Sequence, residues 1–166
     1  MSAHTDTAIL DSWSRNADPW VSAVRDGEIA SRVLVTNAAI VDAVRARHPR
    51  TAVDLAVCNF SLIGKEAVDG LFRAAPTYLR EGGTMVVQTV HPLMACGEET
   101  YADGWRSGSW AGFNEGFADA PPWYFRTMSS WIALFAAHGL RLVEMREPLH
   151  PETGKPVSLI LVGKLG

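Results

Sequence analysis

The sequence predicts an α/β fold: a mainly parallel sheet with helices on its faces and an antiparallel final strand pair. Three observations carry this. Two short apolar runs, at 52–60 and 84–90, are nearly unbroken, as strands covered on both faces are. Segments with helical spacing alternate with them along the chain, the order of a layered α/β domain. Close to the C-terminus, "LRLVEMREP" and "VSLILVGKL" are separated only by "HPETGKP", and a connection that short permits only an antiparallel pair.

The elements follow in order. Residues 7–20, with Trp13, Asn16, Ala17, Pro19 and Trp20, read as a short, loosely helical entry. Over 28–47 the positions Ile29, Val33, Val35, Ala38, Ile40, Val41 and Val44 make a helical stripe. Pro49 closes it, because the residue before a proline is pushed out of the α region. The run 52–60 is a strand. Helical spacing returns over 65–80, with Val68, Leu71, Phe72, Ala75 and Leu79 on one side and Pro76 setting a kink or break near the end. Gly82 and Gly83 turn the chain into "TMVVQTV", the second buried strand. Residues 91–123 are rich in glycine and aromatics and have little periodicity. A loop that long inside a compact domain is usually functional, a lid or a substrate wall, with Trp105, Trp110, Phe113 and Trp123 as its aromatic face. Residues 125–138 are a helix with Trp131, Leu134 and Phe135 as its apolar face and Gly139 as its stop.

With 166 residues, 48% hydrophobic and 20% charged, the chain suits one globular domain with a sizeable core. A net charge of −3 with no basic run gives no electrostatic reason to expect nucleic acid. The apolar runs are too short to span a bilayer, and "MSAHTDTAILDSWSRNADPW" lacks the basic-then-apolar order of a signal peptide, so no membrane and a cytoplasmic location are expected. Cys58 and Cys96 form no CxxC pair, and Cys58 reads as a buried free thiol.

The stretches "SWSRNADPWVSAVRDGEIASRVLVTNAAIVDAV", "DLAVCNFSLIG", "LFRAAPTYLREGGTMVVQTVHPL" and "PWYFRTMSSWIALFAAHGLRLVEMREPLHPETGKPVSLILVG" cover most of the chain. Their order, ending in helix, strand, tight turn and strand, resembles the C-terminal half of class I S-adenosylmethionine-dependent methyltransferases. The likeness is to the small bacterial ones related to ubiquinone and menaquinone biosynthesis methyltransferases. It implies a Rossmann-like methyltransferase sheet, here a partial one, in a single domain. Residues 1–50 would be an N-terminal helical cap, 51–166 the half-sheet and 91–123 an acceptor-side loop. The implied cofactor is S-adenosylmethionine, and the implied activity is methyl transfer to a small-molecule acceptor.

One departure is large. In that family the first strand runs into an acidic, glycine-rich GxGxG loop, whose backbone approaches the cofactor because glycine carries no side chain and allows positive φ. An acidic residue after the second strand grips the ribose hydroxyls. Neither is visible here. "TAVDLA" matches the family's first strand and "DLAVCNF" its fourth, and the two share "DLA" at 54–56. Three βα units, on the order of 70 residues, are absent at that seam. The seam is either an internal deletion or the trace of a stretch present in a longer parent. The chain as it stands is expected to bind S-adenosylmethionine weakly or not at all. A non-catalytic, truncated methyltransferase-like module acting in assembly or interaction is the alternative function.

The resemblance places Asn59, Phe60 and Ser61, at the end of the fourth strand, beside the cofactor; the same residues also suit a polar strand terminus. Trp20 and Arg32 belong to helices that close over the cofactor in similar enzymes. A guanidinium fork there suits the methionyl carboxylate; a solvated helix arginine is the other reading. His91 stands at the carboxyl end of a parallel strand, where ligands bind in open α/β sheets. It is the candidate general base for an oxygen or nitrogen acceptor, or else a strand cap. Trp123, Tyr124 and Arg126 open the next helix and are candidates for the acceptor pocket or the core. His150 and Glu152, taken with His91 and Cys96, match no zinc spacing, so no metal is expected. The strand 52–60 is left at an open edge of a four-stranded remnant guarded only by Asp54, and at least a homodimer joined around 48–60 is expected.

Overall fold

The computed structural model describes residues 4–51, 53–111 and 113–166. Helix α1 runs Asp6–Arg25, 20 residues where a short entry was expected. Thr5 caps it by accepting the Ala8 N–H, and Asp6 in its first turn and Arg25 in its last match the helix dipole. Pro19 removes only one N–H from the ladder, and the helix continues through it. The stripe expected over 28–47 contains a π-helical turn, Arg32–Thr36, that leads into α2, Asn37–Arg45. In a regular α-helix Arg32 would share a face with Thr36, Ile40 and Ala43, all buried. The wider turn changes that phase, so Arg32 is free to point elsewhere.

β1 (Leu55–Asn59), α3 (Glu66–Tyr78) and β2 (Thr84–Val90) form a β–α–β unit, its strands parallel, with Leu55 opposite Thr84 and Asn59 opposite Gln88. Ala52, assigned above to the first strand, lies outside the described residues. Pro76 sits inside α3, which stops soon after, at Tyr78. The long segment after β2 holds a short helix α4 (Pro92–Ala95) and a strand β3 (Gly104–Arg106), which pairs antiparallel with β4 (Trp123–Phe125). Trp123 and Tyr124 therefore do not open a helix. Three consecutive aromatic strand-formers pair across to β3 instead, and α5 (Met128–Ala137) begins behind Thr127, whose hydroxyl accepts the Ser130 N–H.

β5 (Leu140–Arg146) and β6 (Ser158–Leu165) are the antiparallel final pair, and the sheet order is β1-β2-β6-β5. β6 runs antiparallel to both neighbours, so the sheet is mixed: β1, β2 and β5 point one way and β6 alone the other. The tight turn is the cause, since it returns β6 into the gap between β2 and β5. Helices α3 and α5 cover one face through Phe72, Trp131 and Phe135; α2 covers the other through Ile40 and Ala43 against Val86, Ile160 and Val162. Gly163 of β6 makes the α5 approach possible, because a Cβ there would lie 2.4 Å from the Phe135 ring. Among the described residues no helix is long and apolar enough to cross a membrane.

Asp54 fixes the entry to β1. Its carboxylate accepts the Arg50 N–H at 3.1 Å, the Thr51 N–H at 2.8 Å and the Thr51 hydroxyl at 3.0 Å, and pairs with Arg80 beyond α3. The Arg80 guanidinium first, and the Thr51 hydroxyl next, hold this carboxyl well below its ordinary 3.8. A folded-state pKa below the unfolded one means stability present above that ordinary value and lost as pH falls below it. Asp54→Asn should therefore lower the melting temperature near neutral pH, with the gap to the unmodified chain narrowing below about pH 4. A gap constant down to about pH 2 would contradict this account of the staple.

Candidate functional site

α1 lies across the carboxyl end of β1, and two sets of bonds hold it there. Asp6 accepts the Lys65 N–H at 2.8 Å and the Ala67 N–H at 2.6 Å, capping α3 from another helix. Gly64 is required for that contact, because a Cβ on it would lie 2.7 Å from the Asp6 carboxylate. Further along, the buried Asn16 amide donates to the Ala118 carbonyl at 2.8 Å, and its oxygen accepts the Ala118 N–H at 3.0 Å. The segment so bound brings Trp110, Phe113 and Phe117 against α1, with Trp110 5.6 Å from Trp13 and Phe113 6.1 Å from Trp20.

Between α1 and the end of β1 is an open groove of about 560 Å³, a usual size for a small-molecule site. Ile9, Trp13, Ala17 and Trp20, one stripe at helical spacing, form its α1 wall. Arg32 reaches it from the π turn, its guanidinium 5.8 Å from the Trp20 ring centroid. Asn59, Phe60 and Ser61 form the floor. All five residues assigned above to the cofactor thus meet in one groove. Sequence reasoning missed Trp13 and Ile9, although their i, i+4 relation to each other and to Ala17 was visible. It also missed Ile63, which carries no chemical signal.

Two features of the floor stand out physically. The Asn59 Oδ1 is buried without a hydrogen-bond partner among the described residues, an arrangement that normally costs stability. Phe60 has φ 52, in the left-handed region that favours glycine, and its N–H still donates to the Gln88 carbonyl at 2.8 Å. Strain of this kind persists where the surroundings impose it and is concentrated at binding sites.

The other candidates lie elsewhere. His91 is fully buried, its Nε2 2.7 Å from Glu147 Oε1 and its Nδ1 without a partner among the described residues, and it does not line the groove. Tyr124 donates its N–H to the Ile63 carbonyl at 2.7 Å, so the β3–β4 ribbon backs directly onto the groove's Ile63. Trp123 packs beside Leu62 and Ile63 around a cavity of only about 20 Å³. Arg126 is buried and committed to the Gly64 and Lys65 carbonyls and to Asp69. Burial pushes the Asp69 carboxyl up, but bonds from Lys65 and Arg126 outweigh it and hold it below the ordinary range. The four aromatics expected to wall one site divide in two: Trp110 and Phe113 join α1, while Trp105 packs on Tyr124 and Trp123 on Phe125. Burial pushes the Cys58 thiol up, as suits a packing residue.

No family model and no curated protein matches the chain. Solved structures do. A proposed S-adenosylmethionine-dependent methyltransferase of Listeria monocytogenes aligns over 68% of this chain and 61% of its own, at 14% identity and a TM-score of 0.54. An S-adenosylmethionine-dependent methyltransferase of Mesorhizobium loti aligns over 70% of this chain and 64% of its own, at 19% identity and a TM-score of 0.50. The chain therefore spans less than two thirds of either protein and, over the aligned part, has the fold of S-adenosylmethionine-dependent methyltransferases.

Proposed function

We propose that the chain serves S-adenosylmethionine-dependent methyl transfer to a small-molecule acceptor, with the groove under α1 holding the methionyl end of the methyl donor. The supporting observation is the convergence of Trp20, Arg32, Asn59, Phe60 and Ser61 on that groove. When bound, the donor supplies a methyl group activated by a sulfonium. The residues present suit its amino-acid end. Arg32 has no ion-pair partner among the described residues and offers its fork to a carboxylate. The unpartnered Asn59 Oδ1 suits an ammonium group. Trp13 and Trp20 give aromatic walls that exclude water and favour positive charge. His91, its ring oriented by Glu147, is the proposed base, and Trp123 and Tyr124 the proposed acceptor side.

The nucleoside end does not fit. Among the described residues no carboxylate lines the groove to take a ribose diol, and Phe60 stands where a glycine would open the backbone to the ligand. Affinity should therefore be low and should come from the amino-acid end. Equilibrium dialysis is expected to give S-adenosylhomocysteine a Kd of about 0.1–1 mM and to leave methylthioadenosine, which lacks the amino acid, unretained. Equal retention of the two would show nucleoside recognition instead. No retention of either would favour the assembly-module reading.

A further inference from the structure

We propose that the outer edge of β1 is self-complementary and that two copies of the chain join by antiparallel pairing of this strand about Val57. The backbone directions lead to this. Asp54 accepts the Thr84 N–H through its carbonyl, and Phe60 donates its N–H to Gln88, so the even-numbered residues of this stretch face β2. Strand alternation then turns the N–H and C=O of Leu55, Val57 and Asn59 to the opposite side, where no strand pairs with β1 among the described residues.

The two sheet edges differ. β5, at the far side, carries Arg141, Glu144 and Arg146 and a register shift at Leu142/Glu144, devices that discourage strand addition. β1 reads Leu-Ala-Val-Cys-Asn, with no charge, proline or bulge, and Val53 and Val57 are 46% and 44% exposed. Asp54, next to it, is taken up by its own chain.

A two-fold axis through Val57 places Val57 opposite Val57 of the partner subunit and Leu55 opposite Asn59 of the partner subunit. Each such pair exchanges two N–H···O bonds, and every outward backbone group of the strand is then satisfied. The two Val57 side chains come together on the face that Leu55 shares with α2, which covers the exposed apolar surface there. The pairing merges two four-stranded sheets into one continuous sheet.

Sedimentation equilibrium of the full chain at about 10–100 μM should give twice the chain mass. Val57→Lys, which places a charge on the edge and removes no intrachain bond, should sediment as a folded monomer with unchanged circular dichroism. Independently, Val57→Cys under mild oxidation should form a 57–57 disulfide between chains, found by peptide mapping, because hydrogen-bonded pairs hold Cα atoms about 5.5 Å apart. A monomeric unmodified chain would overturn the proposal. So would a dimer that persists in Val57→Lys and shows no 57–57 link.

Discussion

Phe72→Ala should cost about 3–5 kcal/mol, much of the stability of a domain this size. Phe72 is fully buried on α3 and meets the α5 side of the core on three rings, with centroids 4.9 Å from Phe135, 6.5 Å from Trp131 and 6.2 Å from His138. It links the two helices on that face directly, ring against ring. The cavity left behind cannot close easily, because Phe135 is already pressed onto Gly163 with no room for a Cβ. The urea midpoint should fall sharply with little change in slope. A loss below about 1 kcal/mol would mean that α3 and α5 hold the sheet independently of each other.

Gly108→Ala should detach the aromatic segment from α1 at a cost of about 3 kcal/mol, the upper part of the ordinary range for a point change. A Cβ at Gly108 would lie 1.9 Å from the Pro121 carbonyl oxygen, a backbone atom that no rotamer change can move. The two arms that leave the β3–β4 ribbon must therefore separate, and Trp110, Phe113 and Phe117 lie between them. Hydrogen exchange over 113–119 and at the indole N–H of Trp110, which donates to Ala118 at 3.0 Å, should accelerate while the β-sheet stays protected. Unchanged protection of that segment would contradict the closure assigned to Gly108.

The strands and the helices that cover them were legible because they rest on strong periodic signals. "TMVVQTV" is a strand with the bounds Thr84–Val90, and the apolar faces of α3 and α5 are those the spacing gave. The failures have local causes. The helix expected over 125–138, with Trp123 and Tyr124 at its head, begins only at Met128, because Thr127 caps it there and the aromatic run before it pairs as a strand. The length of α1 was obscured by Pro19, which ordinarily argues against a helix interior. The π turn has no sequence signature, yet it decides where Arg32 points. At the site, polar candidates were found because polarity at a strand end is conspicuous. Ile9 and Ile63 look like any core residue, and only the chain's path shows them lining the groove.

The central claim is that the groove reads an amino-acid end with Arg32. Its most direct test is a titration of S-adenosylhomocysteine followed by backbone amide and indole NMR signals, for the unmodified chain and for Arg32→Ala. The account predicts saturable shifts at Asn59, Ser61 and the Trp13 and Trp20 indoles, with affinity about tenfold lower in Arg32→Ala, as befits one lost charge-assisted bond. Shifts confined to other surfaces, or equal affinity in the two proteins, would contradict it.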